Sequence, residues 1–210
     1  MIASSCANLF SVEGALRAVG AEPVWVREPR DLEAHTHLVL PGVGAFDAGV
    51  AALGEELLAA LRRYAASGRQ MLGICLGMQL LFERSAEGEL PGLGLLPGRV
   101  ERLPEDAEHK VPHIGWNELH VERARLASAG AEELWSGVAD GAHVYFVHGY
   151  AYLDATAPWV VAVAHHGVPF AAAVSRGNVH GVQFHPEKSA RVGLSLLARF
   201  VALRPLAARR

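Results

Sequence analysis

Cysteine is scarce in this chain. Only Cys6 and Cys75 occur among 210 residues, and no Cys-x-x-Cys is present, which excludes a disulfide framework. Apolar runs are interrupted well short of the ~18 residues that a membrane-spanning helix requires. Charge of one sign is also missing. The formal net charge is -3, which gives no electrostatic case for nucleic acid or an anionic membrane surface. The start has neither a charged n-region nor an apolar h-region, so no secretory signal is read there. The expected location is the cytoplasm, where a free thiolate survives. Eleven histidines are present, and His109 and His113 stand in a His-x-x-x-His, but no Cys-x-x-Cys accompanies any such pair, and no metal is expected. Repeats, low-complexity segments and long linkers are absent as well.

What is present is a chain of one-domain length, 51% hydrophobic and 20% charged, ample for a sizeable core. The first half alternates helix and strand. Residues 9–19 read as a helix, Pro23–Val26 and His37–Leu40 as short strands, and Phe46–Ala66 as a long amphipathic helix. Gln70–Ile74 reads as a buried strand and Leu76–Glu83 as a helix. After residue 97 short strand-like runs dominate: Arg99–Leu103, Asn117–Glu122, Val144–His148, Val160–Ala164, Phe170–Ser175 and His180–Phe184. A helix closes the pattern from Ser189 to Leu203. This order predicts an α/β fold with a doubly wound, mostly parallel sheet, flanking helices and an antiparallel addition in the second half. The site of such a sheet lies beyond the carboxyl ends of its strands.

Residues 73–79, Gly-Ile-Cys-Leu-Gly-Met-Gln, place Cys75 between two glycines at the end of a strand and the start of a helix. That spacing suits a sharp turn that lifts a nucleophile off the sheet, and a helix N-terminus favours the thiolate. The plainer reading is a small buried hydrophobe. Cys6 has no comparable context. A thiol nucleophile needs a base and the base an orienting carboxylate. His185 and Glu187, in His-Pro-Glu after an alternating strand, suit those roles. Pro41-Gly42-Val43-Gly44 is either a plain turn or an oxyanion hole. In the second case backbone N–H groups near Val43 and Gly44, with that of Leu76, would face a developing oxyanion.

The segments Gly-Ile-Cys-Leu-Gly-Met-Gln, Pro-Gly-Val-Gly and Gln-Phe-His-Pro-Glu-Lys-Ser resemble those of the triad-type (class I) glutamine amidotransferases. Two more, Lys110-Val-Pro-His-Ile-Gly-Trp-Asn117 and Tyr145-Phe-Val-His-Gly-Tyr150, resemble the glutaminase-subunit branch found in imidazole glycerol phosphate synthases of histidine biosynthesis, as does Met78 after Cys-Leu-Gly. The likeness runs from residue 8 to 203 and implies one amidotransferase domain over 1–210 with no cofactor. It implies that Cys75 forms a glutamyl thioester, His185 moves the protons and Glu187 orients His185. It further implies that Gly44, Gln79 and Glu87 hold glutamine, with Glu87 at its α-ammonium. Asn8, His113, Trp116, Asn117 and Lys188 would face a partner, a (β/α)8 cyclase subunit that consumes the ammonia. Trp116 otherwise reads as a core residue. The alternatives are the glutaminase of another class I complex and a stand-alone γ-glutamyl cysteine hydrolase.

Two departures stand out. Members of this branch open on an apolar strand and a Tyr-Gly-x-Gly-Asn-Leu turn, where this chain has Met1-Ile-Ala-Ser-Ser-Cys-Ala-Asn-Leu. The expectation is a truncated or degraded first strand over 1–7, which would leave a sheet edge unpaired. Gly149 stands where Ser or Thr is usual after Val-His.

Overall fold

The computed structural model describes residues 1–2 and 9–206. In chain order these form α1 (Leu9–Ala18), β1 (His37–Gly42), α2 (Phe46–Ala66), β2 (Gln70–Cys75), α3 (Leu76–Gln79), β3 (Phe82–Ser85) and β4 (Leu96–Arg102). Then follow β5 (His113–Glu118), β6 (His120–Val121), α4 (Arg123–Ala129), α5 (Glu132–Trp135), β7 (His143–His148) and β8 (Tyr150–Ala151). The chain continues through β9 (Val160–His166), β10 (Val168–Arg176), β11 (Val179–Val182) and α6 (Ala190–Ala202). Single 3₁₀ turns lie at Pro29–Ala34 and Pro186–Lys188.

The central sheet has the order β1-β2-β11-β10-β9-β6. Its β1, β2 and β11 run parallel, while β10, β9 and β6 pair antiparallel. The expected antiparallel portion is thus the second half of the same sheet. Alternation along the strands divides the core in two. On β1, Val39 faces Val12, Leu16 and Phe200 of α1 and α6. Its neighbours Leu38 and Leu40 face Phe46, Val50 and Leu61 of α2. A helical layer on each face follows from that pattern.

Two expectations change. Pro23–Val26 forms no strand beyond one bridge between Val26 and Ile2. The Ile2 N–H donates to the Val39 carbonyl and the Val26 N–H to that of Met1, so β1 is not left bare at Val39. The helix expected over Leu76–Glu83 stops after Gln79. From there the carbonyls of Leu80, Leu81 and Phe82 accept N–H groups of residues 93–96, and β3 pairs with β4. Apolar periodicity alone could not separate these outcomes, because the bonds that decide them come from other segments of the chain.

Candidate active site

The parallel strands β1, β2 and β11 point their carboxyl ends toward one side, and the chemistry-bearing residues collect there. At Cys75 the backbone takes φ 53 and ψ -111, a left-handed region that costs a non-glycine residue on the order of 1–3 kcal/mol. The turn holds because α3 lies directly on the sheet. A Cβ on Gly77 would overlap the carbonyl oxygen of Leu40, and one on Gly73 would meet the Gly77 backbone. The two glycines flanking Cys75 are therefore required by close approach, and they let β2 turn into α3 within one residue.

Cys75 Sγ lies 3.8 Å from the Val147 carbonyl oxygen and accepts a hydrogen bond from Gln183 Nε2 at 3.8 Å. His185 follows β11. Its N–H donates to the Tyr145 carbonyl. Ser189 fixes it from the other side, donating to the His185 carbonyl at 2.6 Å and accepting from the Tyr145 N–H at 3.0 Å. His185 Nδ1 meets Glu187 Oε1 at 2.8 Å, with both side chains almost fully buried. Burial by itself pulls the imidazole pKa down. Hydrogen bonds and charges from Cys75 and Glu187 outweigh it and raise the pKa to about 9. The ring therefore holds its proton at neutral pH, between a sulfur and a carboxylate.

Beside these groups is a cavity of about 180 Å³ lined by Val43, Gly44, Cys75, Leu76, Gln79, Glu87, Val147–Tyr150 and His185. Every residue expected to bind glutamine or its oxyanion reaches this one cavity, and Gly149 is also on its wall. Gly44 takes φ 95, a conformation that glycine adopts without penalty. Glu87 has a second attachment. Its Oε2 accepts the N–H of Phe46 at 2.8 Å, the first residue of α2, where an anion is favoured by the helix dipole. Asp47 completes the clasp by accepting the N–H groups of Glu89 and Leu90.

Gln79 donates to the Tyr150 carbonyl at 2.9 Å and to Gln183 Oε1 at 3.1 Å. Gln183 escaped sequence reasoning, as did Ser189. Both bound the Gln-Phe-His-Pro-Glu-Lys-Ser segment, but the sequence assigns neither a role, since Gln183 reads as one more residue of an alternating strand.

The residues expected at a partner surface separate into groups. Asn8 lies outside the described residues. Trp116 is 54% exposed and its neighbour Ile114 60% exposed, so the core reading of Trp116 does not hold. Trp116 stands opposite Tyr145 across the β5–β7 pair, edge to face at 6.2 Å. Lys188 is exposed, with Nζ 5.6 Å from the Tyr145 ring. His113 differs from Trp116: it is 5% exposed and stacks on Phe146 and His166. It occupies the inward phase of β5, opposite His148. Asn117 is half-buried, and its amide nitrogen donates to the His165 carbonyl at 2.7 Å.

Among the described residues no group of three or more His, Cys, Asp or Glu is placed to hold a metal ion, and no helix is long and apolar enough to cross a membrane. The glutamine amidotransferase class-I family profile matches residues 8–203. The imidazole glycerol phosphate synthase subunit HisH of Gloeobacter violaceus is 46% identical, covering 92% of this chain and 84% of that one. The HisH subunit of Desulfitobacterium hafniense is 48% identical over 92% and 88%. Among solved structures, a glutamine amidotransferase superposes with a TM-score of 0.71 at 22% identity, covering 96% of both chains. PurLQS from Thermotoga maritima gives 0.71 at 20% identity, covering 96% and 95%, a likeness of fold. The chain belongs to the class-I glutamine amidotransferases and, within them, to the HisH subunits of imidazole glycerol phosphate synthase.

Proposed function

We propose that this chain hydrolyses glutamine at Cys75 and passes the ammonia to a (β/α)8 cyclase subunit, which makes imidazole glycerol phosphate and an aminoimidazole-carboxamide ribonucleotide. The observation that carries the reading is the convergence of nucleophile, histidine, candidate oxyanion donors and Glu87 on one small cavity. The Cys75 sulfur attacks the side-chain amide carbon of glutamine. The oxygen takes up the negative charge and meets backbone N–H groups at Val43, Gly44 and Leu76. The proton on His185 goes to the amide nitrogen, which leaves as ammonia, and a thioester remains on Cys75. Water then gives a proton to His185 and adds to the thioester, releasing glutamate and restoring the thiolate–imidazolium pair. Glu187 keeps the ring's Nδ1 proton in place throughout, and Glu87 receives the substrate's α-ammonium.

Val147 lines the cavity and is paired with Ile114 across β5 and β7. The exposed face of that ribbon, with Trp116, Tyr145 and Lys188, thus begins at the nucleophile. A cyclase seated there would cover the cavity mouth and keep ammonia from water. We assign the complex to the cytoplasm, where a free Cys75 thiol survives. The test is imidazole glycerol phosphate synthesis by the mixed subunits with glutamine or with ammonium salt. Cys75→Ala is expected to abolish glutamine-dependent turnover and to leave ammonia-dependent turnover intact. Equal activity of Cys75→Ala and wild type on glutamine would remove the proposal.

A further inference from the structure

From His148 on the cavity wall extends a cluster of rings with no part in the reaction as described. His113 and His148 are opposite one another on β5 and β7, and His113 Nδ1 is 3.1 Å from His148 Nε2. His148 Nδ1 is 2.9 Å from the Tyr150 carbonyl oxygen, and Asn117 Nδ2 is 3.3 Å from His113 Nε2. Phe146 and Phe170 pack against both imidazoles.

The direction of every bond in this row is fixed by chemistry. A carbonyl oxygen only accepts, so His148 Nδ1 carries the proton and His148 Nε2 is the acceptor. His113 Nδ1 must then donate, which leaves His113 Nε2 to accept from the Asn117 amide. Burial keeps both rings neutral, pulling His148 down to about 3 and His113 to about 4. Donors therefore point one way, from Asn117 through His113 and His148 to the Tyr150 carbonyl. That same oxygen accepts from Gln79, Gln79 also donates to Gln183, and Gln183 donates to Cys75 Sγ.

We propose that His113 and His148 are positioning residues that, through the Tyr150 carbonyl, hold the Gln79–Gln183 pair against the Cys75 sulfur and tie the nucleophile to the strand carrying Trp116. The inference rests on the glutaminase reading of the cavity and adds a structural path by which movement of β5 reaches the sulfur. The Gln183 N–H holds the sulfur in place, so loosening the row lowers the reactivity of Cys75.

Two substitutions separate positioning from packing. His113→Phe keeps the aromatic stack and removes both hydrogen bonds. His113→Asn packs less well, yet its amide nitrogen stands near the place of Nδ1 and can donate to His148. The primary readout is the alkylation rate of Cys75 by iodoacetamide in the isolated full chain, resolved by peptide mass spectrometry, because it needs no glutaminase activity. His113→Phe is expected to slow alkylation about tenfold. In the complex it is expected to lower kcat for glutamine with little change in KM. His113→Asn is expected to recover most of both despite a lower melting temperature. Rates that are unchanged or raised in His113→Phe, or that follow melting temperature across the two variants, overturn the proposal. If His113→Phe does not fold, Asn117→Ala replaces it with an expected loss of about threefold, and an unchanged rate is again fatal. Wild-type protein without glutaminase activity in the complex would instead strike the functional reading, with the alkylation comparison still decisive for the positioning role.

Discussion

Replacing Glu187 with glutamine isolates the contribution of one charge to the catalytic proton. Glutamine keeps an oxygen for the Nδ1 proton of His185 and removes the negative charge. In the wild type, His185 holds its proton up to about pH 9 despite burial, against an ordinary value of 6.5. That displacement corresponds to roughly 3 kcal/mol between the two protonation states. Cys75 and Glu187 share it, and their gross contribution is larger because burial opposes them. Loss of one opposite charge at hydrogen-bond distance typically lowers such a value by about 1–3. The leaving ammonia needs the imidazolium, so the alkaline limb of kcat/KM for glutamine is expected near pH 9 in the wild type. It is expected about one pH unit or more lower in Glu187→Gln. The assay is glutamate release by the complex across the neutral to alkaline range, alongside NMR titration of the His185 ring in the isolated chain. Stability provides an independent check. A group whose pKa is raised by folding stabilises fully below 6.5 and loses that contribution as pH rises through about 9. The wild type should therefore lose more stability across this window than the variant. A limb and a ring titration unmoved by Glu187→Gln would refute the assignment of the raised value to this carboxylate.

Gly77→Ala places a methyl group on the Leu40 carbonyl and is expected to cost at least about 2 kcal/mol together with glutaminase activity, as measured by urea unfolding and glutamate release. His180 is wholly buried between Ser175 and Gln70, and burial lowers its pKa to about 4. The folded chain thus refuses a proton that the unfolded chain accepts near 6.5, and His180 should add about 1.4 kcal/mol per pH unit to the fall in stability below that value, beside like contributions from His113 and His148. A urea midpoint that is flat between pH 6.5 and 5 would contradict this account of His180. Trp116→Ala should leave the isolated chain's unfolding within about 0.5 kcal/mol and weaken cyclase binding by about 2 kcal/mol, read by isothermal titration.

The parts of the site that sequence revealed are those whose geometry is local. Cys75 needs glycines two residues to either side, and His185 reaches Glu187 within one short turn, so both could be read from spacing. Val43 and Gly44 follow from a strand end, as did the boundaries of α2. What stayed hidden depends on pairing between distant segments. The helix expected past Gln79 fails because residues 93–96 claim the carbonyls of Leu80, Leu81 and Phe82. Gln183 gains its role only beside Gln79 and Cys75, which lie far earlier in the chain. His113 and Trp116, three residues apart, fall on opposite faces of β5, a separation that alternation reveals only once His113–Glu118 is known to be one strand.

The double attachment of Glu87 limits how this protein can change. In the proposed reading its carboxylate recognises the amino group of the substrate, while the same carboxylate caps the first turn of α2 at Phe46. That turn directly follows Val43 and Gly44. A mutation that retunes affinity for the amino group would therefore also loosen the frame behind the oxyanion donors. Selection for a different amide substrate cannot treat recognition and rate as separate traits here. New specificity would more readily arise at Gly149, which lines the cavity without anchoring α2.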